Sequence, residues 1–397
     1  MAADATAYDA VLKEVWTGDK IEEQLYQGNP LLEMIESSEP VTQVGDKALV
    51  PVHVGRSGGY SAVPRAGTDS LNAADAQELA QAQYNYTHHW FQIKIESSTV
   101  DETSSKPLAV ASVVDTEVTG AIDDTRRQLS RQMFSNGDAL IAACDTTTTS
   151  ATIELLATGF GKDAIARGWL YPGLLVDIGS AANEGSVATD RTITSVTESQ
   201  SDPDMLISGS TVSTTTATDF VSIANNRSGT TSYETNGLRN LFGSTSTVVG
   251  NLDPATYPVW KPAAVNPDSL TTITLPGIYA LQRAVFQKIG KEPDTAITSA
   301  KQYEAVYKLL QAQVRFNGDG NLGAGNLEGL NIGSTKLQRQ VDCLDRDFFT
   351  FTKKDLFVVK NDKPKWSSQA YGGQSGVLEW AQGSTRLVGG AVYRIQL

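Results

Sequence analysis

The clearest pattern of apolar and polar positions lies in residues 117–138, EVTGAIDDTRRQLSRQMFSNGD, and just before them. Apolar residues recur there at helical spacing, and they are Val114, Val118, Ile122, Leu129 and Met133. Acids fill the first half and arginines the second, which suits the helix dipole. The stretch SNGD then offers Asn136 or Gly137 for a left-handed stop. Because the apolar stripe covers one side only, we predict a long helix lying across a sheet.

Two alternating segments precede this helix and predict strands over residues 45–54 and 84–96. We expect them to pair as a long antiparallel ribbon. The residues between them carry few large apolar groups, and ordering such a loop costs about 1–2 kcal/mol per residue. A two-stranded ribbon is also marginal in water by itself. We therefore predict that this ribbon is either mobile or stabilised by another copy of the chain.

The composition and the pattern of apolar residues change several times along the rest of the chain. Residues 1–40 predict a thin amphipathic arm, with Asn29 as a helix N-cap before Pro30. Residues 146–260 are rich in Ser, Thr and Gly and contain short strands separated by turns, which predicts a small barrel or sandwich. We expect neither the arm nor the ribbon to bury a core of its own.

From residue 266 onward, the sequence predicts a mixture of helices and strands. The stretch LPGIYALQRAVFQKIG predicts a helix that starts near Pro276 and stops at Gly290. A short strand and a second helix follow, with Ser299 and Gln302 as a candidate capping box. The remaining segments, DFFTFT, DLFVVK and TRLVGGAVYRIQL, alternate as strands do.

Composition and charge exclude several classes of protein. The formal net charge of the 397 residues is −13, and no polybasic run occurs, which argues against a surface that grips nucleic acid. Cys144 and Cys343 stand far apart without a CxxC, so we expect two buried thiols and no zinc site. No signal peptide and no membrane span are predicted. We expect a soluble protein made and used in a reducing cytoplasm.

The sequence motifs that could carry chemistry each lack the context that their chemistry needs. GRSGG, residues 55–59, matches the nucleophile elbow around Ser57, but no helix-forming sequence follows it. GDGNLG, residues 318–323, follows a helix where a dinucleotide fingerprint must follow a strand. The three histidines lie on the ribbon strands, and DCLDRD, residues 342–347, is predicted to be a structural turn in which Arg346 balances the charge. We expect no catalytic residue, no cofactor and no metal.

The order of these elements resembles that of a tailed-bacteriophage major capsid protein with the Hong Kong 97-type fold. The resemblance rests on the arm with NPLLEMIE, the two-stranded loop, the single long helix, the β-rich insertion, the α/β region and the strands at the end. It implies an α+β fold with six segments. These are an N-terminal arm (1–40), an extended β loop (41–100), a spine helix in a peripheral domain (101–145), a β-rich inserted domain (146–262), an axial domain (263–365) and return strands (366–397).

The resemblance also implies a function. The chain would assemble into pentamers and hexamers of an icosahedral shell that encloses double-stranded DNA in a virion, built in the bacterial cytoplasm. Partners would be a portal, a decoration protein and a scaffolding protein. The scaffolding protein is expected to be separate, because the arm begins almost at Met1. The loop tip, residues 55–83, contains no lysine, so we expect a shell without the Lys–Asn cross-links that some members form.

The candidate contacts between subunits lie on the loop, on its second strand and on the polar side of the long helix. They are Arg56, Tyr60, Arg65, Trp90, Phe91, Arg126, Arg127 and Arg131. The alternatives are an encapsulin-like nanocompartment with the same fold, a hydrolase using Ser57, and a phage tail or decoration protein. The large β insertion, residues 146–260, counts against the encapsulin alternative, and a tail or decoration protein does not need the long helix.

Overall fold

The structure, a computed structural model, describes residues 31, 34, 37–38, 42–44, 47–60, 73, 76–96, 107–157, 160–199, 202–242, 248–262, 273–311, 330–356, 358–360, 365–366, 378–380 and 386–396. Five α-helices have both ends in these residues: α1 (Pro107–Met133), α2 (Phe160–Ala166), α3 (Leu238–Phe242), α4 (Leu275–Ile289) and α5 (Ala300–Gln311). The early strands are β1 (Ser37–Ser38), β2 (Thr42–Val44), β3 (Lys47–Gly55), β4 (Glu78–Asn85) and β5 (Thr87–Glu96).

The later strands form the middle and the end of the chain. They are β6 (Leu140–Ala143), β7 (Thr152–Glu154), β8 (Leu175–Ser180), β9 (Asn183–Thr197), β10 (Asp204–Ile207), β11 (Asp219–Ile223), β12 (Arg227–Ser228), β13 (Thr231–Ser232), β14 (Thr295–Thr298), β15 (Asn331–Ile332), β16 (Thr335–Arg339), β17 (Phe348–Phe351), β18 (Val358–Lys360), β19 (Lys365–Trp366), β20 (Leu378–Trp380) and β21 (Arg386–Gln396). The mixture of helices and separate sheets is the predicted α+β class.

Helix α1 buries the predicted stripe. Val118, Ile122, Leu129 and Met133 are all buried, while the side chain of Val114 lies outside the described residues. The helix begins at Pro107, ten residues before the quoted stretch, at the position where proline's missing N–H costs nothing. Gly137 takes a φ of 71°, which confirms the predicted left-handed stop. The helix contacts β5, so it lies against a sheet as predicted.

The predicted pairing of the two early strands is wrong. Strand β3 pairs with β4, while β5 leaves that ribbon and runs antiparallel to β21 from Thr87↔Ile395 to Glu96↔Arg386. The chain changes sheets at Tyr86, whose buried ring packs with Ala48 and Tyr84. The alternation of residues continues through this point, so the period alone does not reveal the break. The ribbon is therefore β2-β3-β4, and β5 belongs to the sheet under α1.

The middle of the chain forms a closed barrel. Its strand order is β6-β11-β8-β9-β10-β7. A bridge between Cys144 and Leu155 joins the first strand to the last, with hydrogen bonds from Asp145 N to Glu154 O and from Leu156 N to Ala143 O. Closure leaves no exposed sheet edge, which is one way that short strands become stable. Of the predicted barrel or sandwich, the structure has the barrel.

The α/β part is a four-stranded sheet, β15-β16-β14-β17, carrying α4 and α5. Helix α4 has the predicted ends, because the Thr274 hydroxyl accepts from Gly277 N at 3.2 Å and Gly290 takes a φ of 78°. Ser299 Oγ accepts from Gln302 N at 3.3 Å, as a capping box requires. The Gln302 side chain instead donates to Asp345 O at 2.6 Å, so only half of the predicted box forms.

Candidate functional site

The structure describes only some of the predicted contact residues of the ribbon and β5. Arg56 and Tyr60 follow β3 and are exposed, Tyr60 to 84%. Trp90 on β5 is 49% exposed. Arg65 lies outside the described residues, and of Phe91 only the backbone, paired with Ala391, is described. The described members are therefore placed where a neighbouring molecule can reach them.

The three arginines of α1 do not share one free face. Arg127 is exposed, and Arg126 pairs with Asp123 one turn earlier at 3.0 Å. Arg131 is buried and pairs with Glu234, each side chain being 1% exposed. The prediction that Arg131 is left free for a neighbour is wrong, because its partner comes from a distant part of the same chain.

A buried polar cluster surrounds that ion pair at the C-terminal end of α1. We call it the helix junction, and its members are Thr87, His89, Arg131, Gln132, Asn226, Glu234 and Thr235. Glu234 Oε1 accepts from both Arg131 and Asn226, and Gln132 Oε1 accepts from Thr235 N at 3.2 Å. Breaking a buried ion pair costs far more than breaking an exposed one, because a buried charge is left uncompensated. The junction thus ties α1 to the chain that follows the barrel.

Strand β5 joins the helix junction through His89. The His89 ring and the Thr87 hydroxyl each lie 2.9 Å from the Thr235 hydroxyl. Burial lowers the pKa of His89 to about 4, and the charges of His88 and Arg131 act in the same direction. His89 is therefore neutral at physiological pH. Its ring is engaged by Thr235 of the same chain.

A second cluster, which we call the acidic turn, spans residues 341–347 after β16. Asp342 accepts a hydrogen bond from Ser130 on α1, and its Oδ1 accepts from Trp169 Nε1 at 2.9 Å. Leu344 is buried within the apolar core of the barrel. One short turn of the α/β part therefore contacts both the long helix and the barrel, which agrees with its predicted structural role.

Arginine side chains from the barrel region hold the acidic turn. Arg167 donates to Val341 O at 2.7 Å and to Cys343 O at 2.9 Å, and its guanidinium also pairs with Asp345 at 3.1 Å. Arg239 on α3 lies 3.2 Å from the Asp347 carboxylate. Burial raises the pKa of Asp347, and the nearby arginines oppose that shift. The acids are thus paired mainly by residues distant in sequence, where Arg346 alone was predicted to balance them.

The ribbon is attached at its base. Gln83 N on β4 donates to Gly250 O at 2.8 Å. Gly250 has a φ of 60°, and a Cβ there would lie 3.0 Å from Ala82 Cβ and from the Tyr84 ring. A side chain at residue 250 is therefore excluded by both conformation and space. Burial raises the pKa of Tyr84 to about 12. The ribbon has an anchored base and an exposed end at Tyr60.

The described residues contain no arrangement that fits the catalytic alternatives. Residues 56–60 after β3 have no regular structure, so no helix begins beside Ser57 as a nucleophile elbow requires. The GDGNLG stretch lies outside the described residues. No group of three metal-ligating side chains occurs in the part of the chain that the structure describes. Cys144 and Cys343 are free and buried, as predicted, and burial raises the pKa of both thiols.

Exposed apolar side chains gather on α4. Tyr279 and Phe286, separated by two helical turns, are each about half exposed, as is Ile289 at the end of the helix. Ile278 on the same helix packs into the core of the sheet. None of the helices in the described ranges is long and apolar enough to cross a lipid bilayer. Several half-exposed apolar side chains on one helix are typical of a surface that contacts another molecule.

Comparison with solved structures identifies the fold. A chain of the cyanophage A-1(L) capsid asymmetric unit matches with a TM-score of 0.54 at 12% sequence identity, over 93% of this chain and 88% of that one. The chain has a phage capsid-protein fold. No protein-family model and no curated protein matches the sequence.

Two further solved structures match with lower scores. A chain of the satellite phage P4 procapsid, a particle that includes a size determination protein, matches over 98% of this chain and 91% of that one, with 11% identity and a TM-score of 0.42. A chain from Mycobacterium phage Bobi matches over 93% and 83%, with 11% identity and a TM-score of 0.39. Both scores are too low to add to the assignment of the capsid fold.

Proposed function

We propose that this chain is the major capsid protein of a tailed bacteriophage, with a Hong Kong 97-type fold, and that its copies form pentamers and hexamers of an icosahedral shell around double-stranded DNA. The observation that carries the proposal is the capsid fold, matched over 93% of the chain. On this proposal β2-β3-β4 is the extended loop, α1 the spine helix, the barrel an insertion, the α4–α5 sheet the axial domain, and β21 a return strand beside β5.

Two surface features support assembly with other copies. Of the side chains on β3 and β4, only Ala48 and Ala82 are buried, and the end of the ribbon at Tyr60 is exposed. The exposed side of α4 carries Tyr279 and Phe286. Burying such groups against identical neighbours is favourable, and repeated contacts between copies are what close a shell. Arg56, Trp90, Arg126 and Arg127 remain proposed contacts of the same kind, as do Arg65 and Phe91.

Electron microscopy of the expressed protein, alone and with the products of the neighbouring genes, tests the proposal. We expect closed shells of uniform size, with nuclease-protected double-stranded DNA in particles from infected cells. A chain that stays monomeric under both conditions would overturn the proposal. Particles that hold an enzyme cargo and no DNA would favour an encapsulin-like compartment. Co-purification with these particles also tests the proposed portal, scaffolding and decoration partners.

A matched pair of variants tests the α4 surface. Tyr279 and Tyr233 are each 52% exposed, but only Tyr279 lies on the α4 face with Phe286. We expect Tyr279→Ser to lower the yield of shells and Tyr233→Ser to leave it near that of the unchanged protein. Equal yields from the two variants would remove α4 from the proposed contacts.

We also propose that the shell is held without covalent cross-links, because residues 55–83 contain no lysine. Denaturing gel electrophoresis of mature particles should then show a single band of subunit mass. A ladder of multimers that survives reduction and boiling would contradict this part of the proposal.

A further inference from the structure

The Asp342 carboxylate joins three parts of the molecule. Ser130, on the buried side of α1, donates to Oδ2, and Trp169, directly after α2 of the barrel region, donates to Oδ1. Asp342 itself follows β16 of the α4–α5 sheet. The two oxygens of one side chain therefore contact two elements that lie outside that sheet.

The backbone of the acidic turn is held in place around this carboxylate. Arg167 binds the carbonyl oxygens of Val341 and Cys343, the residues on either side of Asp342. Leu344 inserts into the barrel core. The Trp169 ring packs edge-on against Phe160, with their centroids 6.5 Å apart, and the Arg167 guanidinium lies over the ring at 5.7 Å. Because the backbone on both sides of Asp342 is held in this way, its carboxylate cannot move along with Ser130 or Trp169.

We propose that Asp342 is a positioning residue that fixes the angle between the barrel, α1 and the α4–α5 sheet, and thereby sets the curvature at which shells close. This inference rests on the proposed shell function. Each subunit repeats the same contacts, so a small rotation within one subunit is repeated at every interface. If the rotated subunits can no longer form a closed shell, they assemble into open or wrongly sized particles.

Single substitutions separate the two hydrogen bonds. Ser130→Ala removes the bond to α1, and Trp169→Phe removes the bond to the barrel while keeping an aromatic ring. Asp342→Asn keeps both, because its Oδ1 accepts from Trp169 and its Nδ2 donates to the Ser130 hydroxyl. Asp342→Ala loses both. A lost hydrogen bond of ordinary strength changes the balance between two arrangements by about five-fold.

Cryo-electron microscopy of assembled particles measures the effect. We expect Ser130→Ala and Trp169→Phe each to raise the fraction of open or wrongly sized particles about five-fold. Asp342→Ala should raise it further, and Asp342→Asn should restore the uniform distribution. If Ser130→Ala and Trp169→Phe fold and give uniform particles, the proposal is wrong. It is also wrong if Asp342→Asn behaves as Asp342→Ala does, because charge and not positioning would then matter.

A measurement on the unassembled subunit tests the positioning itself. Spin labels at Asp202→Cys, on the barrel, and Gln287→Cys, on α4, report the distance between these units; both positions are exposed, and the native cysteines are buried. We expect the distance distribution to broaden with Ser130→Ala and to stay narrow with Asp342→Asn. A narrow distribution in both overturns the inference. If the unchanged protein forms no shells yet shows this pattern, the proposed function fails while the positioning role stands.

Discussion

The barrel interior and the helix junction both lie inside the molecule, but they are stabilised by different interactions. The barrel interior is a continuous set of aliphatic side chains such as Ile153, Val176 and Ile178. The helix junction is polar, with an ion pair, amides and an imidazole in direct contact. Apolar packing tolerates small changes of partner, whereas a buried charge requires its own partner. The difference suggests that the barrel provides stability and the junction provides a defined orientation.

The largest expected effect comes from Glu234→Gln at the helix junction. The substitution keeps the shape but leaves the Arg131 charge buried without a counter-charge, which costs about 3–5 kcal/mol. Urea unfolding of the unassembled subunit measures the free energy. The control is Asp123→Asn, which removes the exposed pair with Arg126 and costs about 1 kcal/mol at most. Similar losses in the two variants would contradict the special role of the buried pair.

The double substitution Arg131→Met with Glu234→Leu sharpens the same point. Replacing both charges with apolar groups removes the uncompensated charge, so we expect the double variant to be more stable than Glu234→Gln. Denaturant titration of the two proteins side by side decides it. A double variant less stable than the single one would show that the polar network, and not the unpaired charge, dominates.

In the barrel, Ile178→Ala should cost about 2–5 kcal/mol, because it removes buried carbon and leaves a cavity. Ile178 is fully buried on β8. The free energy of unfolding is again the measurement. Leu206→Ala, at a partly exposed position of the same barrel, should cost less than about 1 kcal/mol. Equal losses of unfolding free energy in Ile178→Ala and Leu206→Ala would mean that Ile178 is not tightly packed in the barrel core.

The helix junction should respond to acid and the barrel interior should not. The pKa of His89 lies at about 4 in the folded chain and near 6.5 when unfolded, so the unfolded chain binds more protons between these values. Stability present above pH 6.5 is therefore lost as the pH falls toward 4, by up to about 3 kcal/mol. His89→Gln should flatten the unfolding free energy across this range. A pH dependence that persists unchanged in His89→Gln would contradict this assignment.

The smallest expected effect is that of Arg167→Lys in the acidic turn. Lysine keeps the charge but cannot reach Val341 O and Cys343 O together with Asp345, since it lacks the planar guanidinium. We expect a loss of about 1–2 kcal/mol, corresponding to one or two hydrogen bonds. Thermal unfolding checks this value. No change in the midpoint would mean that the charge alone holds the turn.

The elements that can be predicted from the sequence are those determined by residues close together in the chain. The stripe of α1, the stop at Gly137, and the start and end of α4 all follow from neighbouring residues, and the structure confirms them. The failures concern distant partners. Arg131 resembles its neighbours Arg126 and Arg127, and its burial depends on Glu234, which is 103 residues away. The exchange of sheets at Tyr86 is equally invisible, because alternation does not say which strand a partner belongs to.

The path of the chain through the barrel has a consequence for how such proteins diversify. The chain leaves α1 just before the barrel and returns beside the same point, where Asn240 Nδ2 donates to Asn136 O at 2.9 Å. A segment whose two ends meet can be exchanged for a longer, shorter or foreign one without redirecting the chain on either side. The exposed turns of the barrel, away from its contacts with Asp342 and Cys343, are therefore places at which a guest domain can be displayed.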